Sequence, residues 1–236
     1  MTFQSNQSGF NNGTQPEFEL TVGSAGLATE HKSLASLRKR IFDFTLAGLT
    51  LIFTMPILLV IAALIKLQDG GQVLFAQERV GVNGKMFKCY KFRSMVANAQ
   101  ERLDHLLATD PEARAEWEQT QKLRRDPRIT RLGAFLRKSS LDELPQLWNI
   151  VRGDMSIVGP RPIVENEVKK YGAYFEEYAA VRPGLTGRWQ VSGRSATTYE
   201  QRVQHDATYV QNWSFGSDVW IVVLTIPAIL MSKGAV

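Results

Sequence analysis

IFDFTLAGLTLIFTMPILLVIAALIKL, residues 41–67, is the stretch on which the architecture turns. Only Asp43 and Lys66 are charged among these 27 residues. As one straight helix the run would reach about 40 Å at ~1.5 Å per residue. A hydrocarbon core needs about 30 Å, so a single transmembrane span is one reading. Pro56, near the middle, supports another. Proline removes a helical hydrogen bond and bends or breaks the helix. The arms on either side of it are about 22 and 18 Å long, and neither crosses alone. Basic residues lie on both flanks: Arg38, Lys39 and Arg40 before, and Arg79, Lys85, Lys88, Lys91 and Arg93 after. Basic flanks favour the cytoplasmic side. A helix over residues 34–68, broken at Pro56 and leaving by the face it entered, satisfies both flanks. A proline-bearing spanning helix remains the alternative.

Upstream, residues 1–29 are rich in Asn, Gln, Gly, Ser and Thr and contain no Lys or Arg. They lack the basic start and early apolar stretch of a secretory signal. Residues 1–33 therefore read as a disordered tail. The net charge of +5 suits an anionic partner, whether nucleotide, phospholipid headgroup or nucleic acid, and equally suits plain solubility. The single cysteine, Cys89, can form no internal disulfide. Its apolar and basic neighbours read as those of a buried structural thiol.

Downstream, residues 72–80 and 85–92 read as two strands around the turn Val82-Asn83-Gly84. Residues 94–108 carry apolar side chains at helical spacing. Asp110-Pro111 opens a second polar helix, and residues 197–213 read as another. The apolar run 219–231, interrupted by Pro227, is too short to span. It fits either a core helix or an interfacial one, with Trp213, Phe215 and Trp220 at headgroup level. The expected fold is thus a helix-rich, mixed α/β, membrane-associated domain. A re-entrant helix precedes a cytoplasm-facing domain over residues 69–212, and an interfacial helix over 213–236 follows it.

Residues 122–138, KLRRDPRITRLGAFLRK, hold seven basic residues and one acid. Such a cluster is a solvated face, a lipid-headgroup patch or a phosphate site. SSLDELPQLWN follows over residues 139–149. Pro145 is tolerated only in a first helical turn, which puts Asp142 near the N-cap. The helix dipole there favours ionised carboxylates, as a nucleophile and a metal ligand require. Ser140 and Glu143 also match a capping box, a purely structural use of the same residues. Arg161 stands between Pro160 and Pro162, a stiff mount for a phosphate-binding guanidinium. Residues 181–187 and 191–194 add further Gly turns and Arg.

YKFRSM (90–95), SLDELPQL (140–147), VGPRP (158–162) and RPGLTG (182–187) occur here in one order. Together they resemble the bacterial sugar-transferase family, the monotopic polyprenyl-phosphate phosphoglycosyl transferases, from about residue 39 to the C-terminus. The resemblance implies transfer of a hexose-1-phosphate, galactose or glucose, from a UDP-sugar to undecaprenyl phosphate, the first membrane step of exopolysaccharide synthesis. It implies Asp142 as a nucleophile that forms an aspartyl phosphosugar, Glu143 as a Mg²⁺ ligand and Lys91 as the basic residue beside them. Arg137, Arg161, Arg182, Arg194 and Asp206 lie in matching segments and are carried over as substrate- or phosphate-binding residues. Pro56 matches the family's helix-breaking proline. The family often has Ser before it, whereas this chain has Met55, so Thr54 or Thr50 would have to satisfy the freed carbonyls. Anionic phospholipids are implied partners, nucleic acid is not, and homo-oligomerisation is open. The implied location is the bacterial inner membrane, with the domain facing the cytoplasm. The rivals are a non-catalytic membrane scaffold and a nucleic-acid-binding membrane protein, the second without a recognition helix or stacking motif.

Overall fold

A computed structural model describes residues 31–120, 123–192 and 197–230. Most of the expected tail, Lys122 and Arg194 lie outside the described residues. Lys32 and Ser33, expected within the tail, belong instead to helix α1 (Lys32–Ala35). Its N-cap, His31, is tied to Val210 O at 3.0 Å. The apolar helix α2 (Leu37–Asp69) follows, then the antiparallel hairpin β1 (Leu74–Val80) and β2 (Met86–Phe92). Next come α3 (Ala99–Thr109), α4 (Pro111–Thr120), α5 (Arg131–Ser139) and α6 (Gln146–Arg152). Strand β3 (Ser156–Val158), α7 (Val168–Tyr171), α8 (Phe175–Ala179), β4 (Gly184–Thr186) and α9 (Arg188–Val191) lead to α10 (Tyr199–Gln211) and α11 (Phe215–Leu230).

The hairpin agrees with the sequence expectation. Asn83 and Gly84 take positive φ values of 55° and 74° at its turn, where Asn and Gly are favoured. Helix α3 starts later than its apolar spacing predicts. Met95 is instead bridged to Ile129, and Ser94 O accepts Thr130 N at 3.2 Å. These pairings hold the segment before α3 extended. RPGLTG, read as a loop, contains β4, and VGPRP begins at the last residue of β3; the two strands pair in parallel. Gly184 is required there, because a Cβ would stand 2.1 Å from Gly159 N.

Helix α2 passes through Pro56 as one continuous element, so the expected break is corrected to an uninterrupted helix. Packing holds the register on both sides of the proline. Lys39, Asp43, Ala47, Leu58, Ile61 and Ile65 are buried, with Leu51 and Thr54 half-buried between them. Together they form one stripe of helical period along the whole helix. Thr54 Oγ1 donates to Thr50 O at 2.7 Å, a back-bond of the kind that bends helices. The first half of the stripe packs on the core formed by Leu147, Ile150, Met155, Val158 and Tyr209. The second half packs on Phe92 and Leu136. One domain therefore grips both ends of the apolar helix. Its other face leaves Ile41, Phe44, Leu49, Ile52, Leu59 and Val60 exposed, with Phe53 at 84%.

The basic flanks have internal partners that the sequence reading did not foresee. Lys39 is buried, donating to Asp218 at 2.7 Å and to Val158 O at 3.0 Å. Asp218 also accepts from Tyr209 and Trp213. Arg40 donates to Ile150 O and Val151 O, and Arg93 pairs with Asp69. Asp43 accepts from Ser156 Oγ at 2.8 Å and Ile157 N at 3.0 Å. Buried charges need such partners. In α11, Val219, Trp220, Val223 and Ile226 are exposed, as an interfacial helix requires. Trp213 and Phe215, expected at headgroup level, turn inward instead. Trp213 bonds Asp218, and Phe215 packs edge-on against Phe42 at 5.5 Å.

Candidate active site

The turn that carries Asp142 differs from the sequence expectation. Helix α5 ends at Ser140, which takes φ 58° and returns its N–H to Arg137 O and Leu136 O. Leu141–Glu143 forms a 3₁₀ turn without a side-chain cap. Helix α6 begins only at Gln146, with Pro145 as its N-cap. Proline cannot donate back to Leu141, so the chain tightens into i→i+3 bonds such as Leu144 N to Leu141 O at 3.3 Å. The capping box does not form, and Asp142 stands in the turn before the helix rather than on its positive end.

That placement reverses the expected electrostatics. Asp142 is only 9% exposed. Burial first, and the neighbouring Glu143 second, push its carboxyl up to about 6, while Lys91 and Arg137 oppose the rise. A carboxyl that titrates near 6 is mostly ionised at pH 7 yet poorly solvated.

The surrounding groups come from separate elements. Lys91, on β2, donates from Nζ to Glu143 Oε1 at 2.6 Å. Asn149 of α6 sets β2 beside the turn. Its amide donates to Lys88 O at 2.7 Å, and its Oδ1 accepts Tyr90 N at 3.1 Å. Arg137 comes from the last turn of α5 and donates to Ser94 Oγ at 2.8 Å. That close approach requires Gly133, whose Cβ would lie 1.9 Å from Ser94 O. Cys89 is buried, as expected, and burial raises its thiol pKa.

A cleft opens beside Glu143 and Lys91, lined also by Arg79, Arg161, Gln146 and Gln190. The loop carrying Arg161 is clamped through its backbone. Gly184 N donates to Pro160 O at 2.8 Å, Arg79 donates to Pro162 O at 2.9 Å, and Ile163 N donates to Tyr178 OH at 3.2 Å. The Arg161 guanidinium lies over Trp189, 5.5 Å from the ring centroid. Burial and the neighbouring Arg202 push its pKa below the usual guanidinium value. Asp206 is fully buried behind this loop and accepts from Tyr171 OH at 2.8 Å. Burial pushes its carboxyl up to about 7. Its place is behind Arg161 rather than in the cleft. Arg182 is not among the residues lining the cleft and donates to Gly153 O at 2.9 Å.

Asp142, Glu143, Lys91, Arg137 and Arg161 are therefore brought together from five sequence-predicted positions. Arg79, Asn149, Gln146, Trp189 and Arg202 were missed. Only contacts far apart in sequence assign them a role, although Gln146 and Asn149 fall within the quoted SLDELPQLWN stretch. The basic run also divides. Arg128 is internal, bonded to Asp126 at 2.7 Å and stacked on Trp117 at 5.0 Å, whereas Arg124 and Arg125 are exposed.

The profile of the family described as "Bacterial sugar transferase" matches residues 34–232. The chain belongs to the bacterial sugar transferase family. It is 50% identical over 197 residues to the UDP-galactose-lipid carrier transferase of Erwinia amylovora, covering 84% of this chain and 41% of that protein. It is 49% identical over 197 residues to the undecaprenyl-phosphate galactose phosphotransferase of Salmonella typhimurium, covering 84% of this chain and 41% of that protein. Identity to the exopolysaccharide production protein ExoY of Rhizobium meliloti is 48% over 204 residues, 86% of this chain and 90% of that protein. This bacterial sugar transferase thus spans less than half of the two galactose transferases and nearly all of ExoY.

Proposed function

We propose that this sugar transferase moves a hexose-1-phosphate, galactose or glucose, from a UDP-sugar to undecaprenyl phosphate through Asp142. The observation carrying this reading is the buried Asp142 carboxylate, with its raised pKa, beside Glu143, Lys91 and Arg137. In the first step an Asp142 carboxylate oxygen attacks the phosphorus that bears the sugar. The bond from that phosphorus to the bridging oxygen breaks, and UMP leaves with the electron pair. In the second step a phosphate oxygen of the lipid attacks the same phosphorus and releases the Asp142 carboxylate. Neither step requires a proton if Asp142 starts ionised. The product is a lipid-linked diphosphosugar.

Lys91 and Arg137 lower the cost of bringing phosphate charge against Asp142 and Glu143. Arg161, on its clamped loop, holds a phosphate in line. The carboxylates also fit magnesium. Glu143 is partly exposed at the cleft, and its charge already acts on Asp142. Among the described residues no three His, Cys, Asp or Glu side chains group as metal ligands, so an ion here would rest on one or two carboxylates plus substrate phosphates. Glu143 would hold it, and the ion would offset phosphate charge in the transition state.

The membrane reading follows from α2. A helix gripped along both halves by one domain, with an apolar outer face, is suited to lying in the membrane interface with that face in the bilayer and both ends on one side. Seated this way in the inner membrane, the domain faces the cytoplasm and meets the lipid phosphate at the interface. Exposed Arg124 and Arg125 suit anionic phospholipids. A panel of UDP-sugars with undecaprenyl phosphate, followed by UMP release, tests the reaction. UMP release with one hexose donor and its loss in Asp142→Asn are expected; full turnover in that variant refutes the nucleophile.

A further inference from the structure

We propose that Trp189 is a positioning residue whose ring face holds the Arg161 guanidinium toward the reactive turn. This rests on the donor-site reading of the cleft. Arg161 reaches the cleft from a loop whose backbone is committed at Pro160, Pro162 and Ile163, so only its side chain can move. Three features would drive that side chain outward. It is desolvated, and it is repelled by both Arg202 and Arg79. Glu143 attracts it from the cleft side, and an aromatic face 5.5 Å from the guanidinium carbon adds a second attraction; such contacts are strongest when desolvated and when the ring is indole.

The Trp189 indole N–H is buried and, among the described residues, has no hydrogen-bond partner. A buried unmade bond costs stability, so this tryptophan is not held in place for its donor. What it supplies is the ring. The same ring is shared with Arg202, 5.2 Å away. Arg202 also stacks on Tyr199 at 4.9 Å and lies 3.7 Å from Glu167. Arg202 is thus anchored twice elsewhere, and Arg161 shares the ring with it. Glu167 is also 3.8 Å from Arg79 and so tempers the repulsion from both sides.

Two variants separate ring from bulk: Trp189→Phe keeps a π-face, and Trp189→Leu keeps only apolar volume. The first readout needs no turnover. The full-length protein in detergent is treated with phenylglyoxal, and modification of Arg161 is followed by peptide mass spectrometry. Modification is expected to accelerate about tenfold or more in Trp189→Leu and less than about twofold in Trp189→Phe. The second readout is steady-state UMP release, where Trp189→Leu is expected to lose about thirtyfold in kcat/KM. That loss should fall mainly in KM for the UDP-sugar, with Trp189→Phe near wild type. Unchanged Arg161 modification in Trp189→Leu, or equal acceleration in both variants, overturns the proposal. If Trp189→Leu shows no cooperative melting, Trp189→Met takes its place. Absence of UMP release from the wild-type protein would sink the transferase reading alone, because the modification rates still decide the role of Trp189.

Discussion

Single-turnover UMP release from the donor alone is expected to have an acid limb centred near pH 6. Burial and Glu143 place the Asp142 carboxyl at about 6, and only the ionised form attacks. At pH 7 about ten carboxylates are ionised for each one protonated, and at pH 5 the ratio inverts. The rate should therefore fall about tenfold between pH 7 and pH 5, where an ordinary aspartate near 3.9 would lose under about a tenth. The structure also fixes the direction in a variant. Lys91 lowers the Asp142 pKa, so Lys91→Met should move the limb to higher pH as well as slowing the reaction. The assay is rapid quench with UDP-hexose and no lipid acceptor, with UMP measured from pH 4.5 to 8. A limb near pH 4, or a limb that moves down in Lys91→Met, refutes the reasoning.

The same burial sets a stability cost. A carboxyl moved from 3.8 to about 6 destabilises the fold on the order of 3 kcal/mol when ionised. The folded-state pKa is the higher one, so the cost is complete above pH 6 and vanishes as pH falls below 4. Asp142→Asn should therefore melt higher than wild type at pH 7.5, with no difference at pH 4, by thermal unfolding in detergent. Gly133→Ala would drive a methyl group into Ser94 O, where only 1.9 Å is available. It should lower stability by about 1–3 kcal/mol and slow UMP release as Arg137 is displaced. Lys39→Met leaves Asp218 buried without its cation and should cost about 3–5 kcal/mol. Adding Asp218→Asn should recover part of that melting temperature, and a double variant no more stable than the single one would contradict the pairing.

Much of the site was legible because its chemistry lies in short contiguous runs. Asp142 and Glu143 are adjacent, and Arg161 is fixed between two prolines. The hairpin was legible from Asn83-Gly84, and the apolar helix from its length. The direction of the Asp142 pKa shift differs from the sequence expectation for a physical reason. Helix-dipole reasoning assumes that a carboxyl at a helix start is solvated and aligned. Pro145 instead pushes the turn out of the helix, and packing then removes the water.

The sequence by itself determined which residues are available: an apolar helix, an acid pair and three arginine-bearing turns. Those follow from local periodicity, side-chain chemistry and proline geometry. Tertiary structure alone decided what each one faces. It turned Lys39 and Arg40 from membrane flanks into internal braces, bonded Asp43 to Ser156, left Arg182 out of the cleft lining, brought Arg79 into it and set Trp189 against Arg161. Burial and charge proximity depend on the three-dimensional distances between segments, and those distances, unlike helical period, are not written into any local stretch of chain.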